Sequence, residues 1–97
     1  MIPKIIWQTY KTKLPPKISV TNIQSWLANT DYEWYYFDDE RCEQFIKDHF
    51  NEDIVNMYTS LPLGVMKADF WRVAIVYVYG GIYADLDTIC LKPIHTW

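Results

Sequence analysis

Hydrophobic and polar positions along the chain follow two periods, and each period predicts one kind of element. Stretches that are rich in β-branched and aromatic residues, or that alternate, predict strands at residues 3–10, 32–37 and 82–87. Apolar positions three and four apart, bounded by residues that cap helices, predict helices at residues 19–30, 38–50, 51–61 and 63–79. The pair Gly80-Gly81 ends the last helix, and residues 88–94 are expected to continue extended as far as Pro93.

The predicted order of elements is β-α-β-α-α-α-β-β, which is typical of an α/β fold. We expect a mostly parallel, Rossmann-like sheet with helices on both faces, formed by residues 1–97 as one small domain. In such sheets, ligands bind beyond the carboxyl ends of the strands, at the point where the strand order reverses. The end of the strand predicted at residues 82–87 is therefore the candidate site.

Two carboxylates lie on one face of that strand. Because side chains alternate along a strand, Tyr83, Asp85 and Asp87 share a face. The opposite face carries apolar residues that are expected to pack in the core, Ile82, Ala84 and Leu86. At a rise of ~3.3 Å per residue the two carboxylates would lie ~7 Å apart, an unfavourable arrangement without a cation nearby. Asp85 and Asp87, with no histidine beside them, predict a Mg²⁺ or Mn²⁺ ion that is shared with substrate phosphates.

A second polar pair lies on the last predicted helix. Asp69 and Arg72 are three residues apart and therefore share a helix face. One interpretation is an intrahelical ion pair, which stabilises a helix by about 0.2–0.5 kcal/mol. The alternative is that this polar face borders the site, since the helix leads through the glycine pair directly into the acidic strand. Arg72 would then meet phosphate or sugar hydroxyls with its planar guanidinium.

Composition narrows the class of protein. Hydrophobic residues make up 51% of the chain and aromatic residues 18%, which indicates a packed core and excludes an intrinsically disordered protein. The net charge of −3 gives no basic surface of the kind that binds nucleic acid. No apolar run is long enough to span a membrane. Cys42 and Cys90 have no metal-ligand spacing, so we expect reduced thiols and a cytoplasmic location. The start MIPKIIW has too short an apolar run, with a proline inside it, so no secretion signal is expected.

Three stretches together resemble a known family: IPKIIWQTY, SW…NTDYEWYYFDDE and KADFWRVAIVYVYGGIYADLDT. The spacing D-x2-R-x10-Y-x-D-x-D is met by Asp69, Arg72, Tyr83, Asp85 and Asp87. The chain is similar to the sugar-binding DXD glycosyltransferases of the capsular-polysaccharide and mannosyltransferase group, and more distantly to the glucosyltransferase domains of large clostridial toxins. The first strand of that family usually has His and Trp where this chain has Trp7 and Tyr10.

The resemblance implies a GT-A fold and a metal-dependent, retaining glycosyltransferase that uses a nucleotide sugar. It places Asp69 and Arg72 on the donor sugar, and Tyr83 and Asp85 beside the ribose and the sugar. It also places Asp87, with Asp85 as a second ligand, on a Mn²⁺ or Mg²⁺ ion. Catalytic roles are thus predicted for Asp69, Arg72, Asp85 and Asp87.

Further donor contacts are predicted for the first strand, where Ile5, Trp7 and Gln8 would border the base, and for Gly81. A UDP-hexose is expected as the donor in preference to GDP-mannose. The acceptor stays open between a polysaccharide, a glycan and a small molecule. Because so small a sheet leaves its edges uncovered, self-association into a homo-oligomer is also expected.

Other interpretations stay open at this point. Family members continue beyond the acidic motif with an acceptor-binding half, so the chain is expected to be a minimal form. It could then bind or hydrolyse nucleotide sugars without transferring the sugar. Asp85 and Asp87 could also form ion pairs in a structural domain. The sequence YADLDTI further resembles the loop of haloacid-dehalogenase-like phosphatases, but the downstream acids of that mechanism are missing. His95 and Trp97 are late residues that could reach a diphosphate.

Overall fold

The computed structural model describes residues 2–97, so Met1 of the predicted domain lies outside the described residues. The strands are β1 (Ile5–Thr9), β2 (Glu33–Phe37) and β3 (Ile82–Tyr83). The helices are α1 (Val20–Leu27), α2 (Asp39–His49), α3 (Glu52–Ser60) and α4 (Gly64–Tyr79). Single 3₁₀ turns lie at Lys17–Ser19 and Ile94–Thr96.

The strands form one parallel sheet in the order β2-β1-β3. The chain passes from β1 through α1 to β2, and then crosses to the other side of β1 through α2, α3 and α4. The strand order therefore reverses at β1, which creates a switch point between the carboxyl ends of β1 and β3. The predicted α/β fold with a parallel sheet is confirmed, and it is compatible with a small Rossmann-like part of a GT-A fold.

Alternate residues of β1 face two separate cores. Trp7 packs among buried residues of α2, α3 and α4, which include Phe45, Tyr58 and Trp71. Ile6 faces the other way and packs with Trp26 of α1. Helices therefore cover both faces of the sheet, as the sequence predicts.

Two of the predicted capping residues set the helix starts. Asp38 accepts a hydrogen bond from the Arg41 backbone N–H at 2.8 Å and caps α2. Asn51 accepts one from Ile54 at 3.0 Å and caps α3. Ser19 does not cap α1, because its hydroxyl donates to the Pro16 carbonyl at 2.6 Å instead.

The strand that carries the acids is shorter than the sequence predicts. β3 ends at Tyr83, and the last bond to β1 runs from the Ala84 N–H to the Trp7 carbonyl at 3.0 Å. The chain then turns, with the Thr88 N–H donating to the Asp85 carbonyl at 3.1 Å. The strand predicted to Asp87 and the extended strand predicted at residues 88–94 were therefore wrong. Within residues 2–97, the helices are all too short or too polar to cross a lipid bilayer.

Candidate functional site

A cavity of about 500 Å³ opens at the carboxyl edge of the sheet. All three strands contribute residues that lie at or just beyond their carboxyl ends, and the first turns of α4 form one wall. The lining residues are Thr9, Tyr10, Lys11, Asp39, Gly64, Val65, Ala68, Tyr83, Asp85, Leu86 and Asp87. The cavity thus occupies the position that the parallel topology reserves for ligands.

The two predicted acids reach this cavity together. Asp85 and Asp87 are both exposed, whereas Ala84 and Leu86 between and before them are only 6% and 8% exposed. The predicted alternation of buried and exposed side chains therefore holds beyond the last residue of β3. The turn at residues 85–88 replaces the extended geometry, so the ~7 Å separation expected along a strand does not apply.

Tyr83 links the acids to the polar pair on α4. The Arg72 guanidinium lies over the Tyr83 ring at 5.7 Å from its centroid, and Arg72 pairs with Asp69 at 3.3 Å. Burial, with a smaller contribution from the negative charge of Asp85, raises the pKa of the Tyr83 hydroxyl above its ordinary value. Tyr83 is therefore a neutral hydrogen-bonding group at neutral pH. Asp69 and Arg72 lie behind Tyr83, outside the cavity lining.

The residues predicted to border the base have internal contacts instead. Trp7 is 5% exposed and its indole N–H donates to the Gly80 carbonyl at 2.8 Å. Gln8 is fully buried, and Ile5 packs against the larger core. Gly81 has a φ of 96°, and a Cβ there would lie 2.8 Å from the Ile5 carbonyl oxygen. The structure does not place Ile5, Trp7, Gln8 or Gly81 in the cavity lining, so their donor contacts stay predictions.

Sequence reasoning missed the contributions of the first two strand ends. Thr9, Tyr10 and Lys11 follow β1 into the cavity, and Asp39 follows β2. The signal was present, because the rule that ligands bind beyond strand ends applies to every parallel strand. Asp39 is the first residue of α2, whose cap is Asp38, so its position at the end of β2 is hidden by its place in a helix.

Asp39 differs electrostatically from an ordinary surface aspartate. Partial desolvation raises the pKa of the Asp39 carboxyl, Lys67 opposes this, Asp38 adds to it, and Lys11 opposes it least. The carboxyl consequently takes up a proton at a higher pH than a free aspartate side chain. The cavity lining carries three carboxylates, Asp39, Asp85 and Asp87, and one ammonium group, Lys11.

This donor set suits a hard divalent cation. Mg²⁺ and Mn²⁺ select carboxylate oxygens, and Mg²⁺ typically binds one or two of them together with substrate phosphates and water. Among residues 2–97, no three His, Cys, Asp or Glu side chains are grouped closely enough to hold one ion. Asp85 and Asp87 both line the cavity, and two carboxylates completed by substrate phosphates and water are a ligand set of this kind.

The two late candidates lie away from the acids. Trp97 packs edge-on against Trp26 with ring centroids 6.3 Å apart, and its indole N–H donates to the Lys92 carbonyl at 3.3 Å. His95 is exposed and lies outside the cavity lining. The structure therefore brings together Tyr83, Asp85 and Asp87 and leaves His95 and Trp97 elsewhere.

Comparison with known proteins agrees with this geometry. The family described as "glycosyltransferase sugar-binding region containing DXD motif" matches residues 16–97. The initiation-specific alpha-1,6-mannosyltransferase of Candida albicans is 36% identical over 98% of this chain and 26% of its own length. The inositol phosphoceramide mannosyltransferase 3 of Schizosaccharomyces pombe is 40% identical over 96% of this chain and 26% of its own length.

A viral relative extends the comparison beyond fungi. An uncharacterized glycosyltransferase of Acanthamoeba polyphaga mimivirus is 30% identical over 97% of this chain and 39% of its own length. The chain spans about a quarter of the length of the two fungal relatives. No solved structure matches it. The match of this family to residues 16–97, most of the chain, establishes that the chain belongs to the glycosyltransferase sugar-binding family that contains the DXD motif.

Proposed function

We propose that the chain binds the donor in a metal-dependent glycosyltransferase that moves a hexosyl group from a nucleotide sugar to an acceptor. The observation that carries this proposal is the cavity at the strand ends, into which Tyr83, Asp85 and Asp87 project together. Membership of the DXD family supports the same reaction class. The activities for which the two fungal relatives are named belong to proteins about four times as long as this chain. Transfer of the sugar to an acceptor is therefore part of the proposal.

The charge of the cavity supports the requirement for a metal. Its lining has three carboxylates against one ammonium group, and a nucleoside diphosphate adds further negative charge. Like charges repel one another, and the repulsion grows as their separation falls. A divalent cation between Asp87, Asp85 and the diphosphate would neutralise the charge that develops on the departing nucleotide.

The remaining side chains would hold and orient the donor. The neutral Tyr83 hydroxyl can donate to a ribose or sugar oxygen, while its ring supports the Arg72 guanidinium from below. Asp69 pairs with Arg72 and limits the positions that the guanidinium can take. We propose that Arg72, which lies beside the cavity and outside its lining, donates to sugar hydroxyls or phosphate oxygens that extend past Tyr83. Retention of anomeric configuration, which the family resemblance implies, stays a prediction.

The identity of the donor is the finer point. The sequence resemblance favoured a UDP-hexose, whereas the fungal relatives are named as mannosyltransferases. We therefore propose a mannosyl donor, for which GDP-mannose is the nucleotide sugar to test first, with UDP-hexoses as the comparison. A module that binds or hydrolyses the donor without transfer remains the alternative outcome of the test.

Calorimetric titration of GDP and UDP, each with and without Mn²⁺, tests donor binding directly. We expect binding that requires Mn²⁺, with GDP tighter than UDP. In Asp87→Asn this Mn²⁺-dependent binding should be lost, because the substitution removes a charged ligand and keeps the side-chain volume. Asp53→Asn, an exposed acid on α3, is the matched control and should bind as the wild type does.

Turnover separates an enzyme from a binding module. Release of free nucleoside diphosphate from GDP-mannose and a panel of UDP-hexoses should be fastest for the preferred donor. Binding without release would indicate the non-catalytic alternative. If Asp87→Asn bound GDP and UDP in the presence of Mn²⁺ as tightly as the wild type does, the proposed site would be refuted.

A further inference from the structure

The segment that carries the acids lacks the backbone partners that a strand would have. After Ala84, the chain makes no further ladder bond to β1, although Leu86 and Ile94 are buried. Buried backbone N–H and C=O groups need hydrogen-bond partners, since leaving one unpaired is costly. The polar groups of this segment must therefore be satisfied by something other than the sheet.

Side chains of α1 and of the turn that follows it supply four of these partners. Three of the residues, Asn22, Ser25 and Trp26, are three and four apart on one face of α1, and the fourth, Asn29, follows two residues after the helix ends. The Asn22 amide donates to the Leu86 carbonyl at 3.1 Å, and the Trp26 indole N–H donates to the Thr88 carbonyl at 3.2 Å.

The other two side chains accept bonds from the segment. The Ser25 hydroxyl accepts from the Cys90 N–H at 2.8 Å, and the Asn29 carbonyl oxygen accepts from the Ile94 N–H at 2.8 Å. We call these four residues the α1 clamp. In this segment the clamp takes the place of a neighbouring strand, with side chains in the role of a backbone ladder.

The clamp acts at the position where the acids are set. Leu86 lies between Asp85 and Asp87, so the bond from Asn22 fixes one of the two backbone carbonyls between the two acidic residues. From the other side, the Gln8 amide donates to the Asp85 carbonyl at 3.4 Å. Gln8 cannot turn freely, because its own carbonyl oxygen accepts from the Trp34 indole N–H at 2.8 Å.

We infer that Asn22 and Trp26 are positioning residues that hold the backbone of the DXD turn so that both carboxylates meet one metal ion. This inference rests on the proposed metal-dependent function. Groups that orient metal ligands affect metal affinity without touching the ion, and their loss typically weakens metal binding by roughly tenfold or more. Asn22 has the more direct effect, because it bonds to the residue between the two ligands.

The test uses Asn22→Ala and Trp26→Phe in the full chain. Trp26→Phe removes the N–H donor and keeps an aromatic ring in the smaller core. Gln24→Ala is the control, because Gln24 is an exposed amide residue on the same helix. Mn²⁺ affinity in the presence of GDP is measured from the electron paramagnetic resonance signal of free Mn²⁺. Hydrogen exchange at the Thr88 amide, which closes the turn, is measured without metal.

We expect roughly tenfold weaker Mn²⁺ binding in Asn22→Ala, a smaller loss in Trp26→Phe, and no change in Gln24→Ala. The Thr88 amide should exchange faster in Asn22→Ala before any metal is added. Faster exchange with unchanged Mn²⁺ affinity would show a merely structural contact and overturn the inference, as would unchanged exchange. A wild-type protein without Mn²⁺ affinity would instead overturn the proposed function, and the exchange measurement distinguishes that failure.

Discussion

The two sides of β1 are held together in different ways. Toward β2, the strands are in register from Ile5 opposite Glu33 to Thr9 opposite Phe37, and backbone bonds from Glu33 to Lys4 and from Tyr10 to Phe37 extend the pairing at both ends. Toward β3, the register covers two residues, Ile6 opposite Ile82 and Trp7 opposite Tyr83. One side is a backbone ladder, and the other relies on side chains.

This difference suggests that the β2 side of the sheet contributes mainly to stability, whereas the β3 side positions the acidic turn. A backbone ladder depends little on which side chains are present, so the β2 side tolerates substitution as long as its core is filled. On the β3 side, particular donors such as Trp7 and Asn22 bond to particular carbonyls. The acidic turn can therefore change position when a single donor is lost, while the fold persists.

The largest loss of stability is expected at a residue that contacts both the β2 side and the β3 side of the sheet. Trp71 is fully buried, and its ring lies 5.1 Å from Phe37 at the end of β2 and 6.2 Å from Tyr83 at the end of β3. We expect Trp71→Ala to lower the free energy of unfolding by about 3–5 kcal/mol, because it leaves a large cavity. Val73→Ala, at a residue of α4 that is 65% exposed, should change it by less than about 0.5 kcal/mol.

Urea denaturation followed by circular dichroism measures both variants. If Trp71→Ala and Val73→Ala differ by less than about 1 kcal/mol, well short of the cost of emptying a large buried site, the larger core does not support both sides of the sheet. Trp71→Ala lies at the limit of what a small domain tolerates, so complete unfolding in water would also agree with the prediction.

Local sequence patterns were sufficient to predict the helices and to predict that Asp85 and Asp87 point away from the core. Asp38 and Asn51 cap helices where the sequence predicts them, because capping depends on a few adjacent residues. The alternation of Ala84 and Leu86 with Asp85 and Asp87 likewise needs no knowledge of the rest of the chain. These features could be predicted because their causes lie within a few residues.

The length of β3 and the polar contacts of α1 with the segment after β3 could not be predicted from local patterns. β3 ends at Tyr83 because the turn closed by Thr88 removes the next residues from the ladder, and only the folded chain shows which groups then replace it. The sequence of α1 has an apolar stripe with Ile23 and Trp26. It does not indicate that the Asn22 amide donates a hydrogen bond to the Leu86 carbonyl, 64 residues away. Long-range contacts of polar side chains have no local signal.

Two glycines at opposite ends of α4 form a matched pair: Gly64 begins the helix, and Gly81 follows its end. Gly81 has a φ of 96°, and an added Cβ would lie 2.8 Å from the Ile5 carbonyl oxygen and 3.0 Å from the Trp7 indole nitrogen. Gly64 starts α4 with nothing within 4 Å of such a Cβ. We expect Gly81→Ala to destabilise by about 1–3 kcal/mol and Gly64→Ala to stabilise by about 0.4–1 kcal/mol.

Thermal and urea unfolding of the two variants check this sign difference. Gly81→Ala should also weaken Mn²⁺ binding, since the strain falls on the bond between Trp7 and Gly80 that leads into β3. If Gly81→Ala were more stable than the wild type, the β3 side of β1 would adjust freely to the added Cβ. The proposed contrast between the β2 side, held by backbone bonds, and the β3 side, held by side chains, would then be wrong.

The smallest perturbation uses the two cysteines as reporters of the two regions. Cys42 is 3% exposed in the larger core, and burial raises the pKa of its thiol to about 12, although the hydrogen bond with Thr9 opposes this. Since the thiolate is the nucleophile, iodoacetamide at pH 8 should modify Cys42 only when the protein unfolds. Cys90 lies half-buried in the segment held by the α1 clamp, where its N–H bonds to Ser25.

We therefore expect peptide mapping to detect modified Cys90 well before modified Cys42. In Asn22→Ala the rate at Cys90 should rise while the rate at Cys42 stays unchanged, because the clamp loosens without global unfolding. The raised pKa of Cys42 also predicts that stability falls as the pH rises from about 9, where the unfolded thiol ionises, toward 12. Equal rates at the two cysteines, in the wild type or in Asn22→Ala, would mean that both regions open together and that the side-chain clamp is no weaker than the ladder.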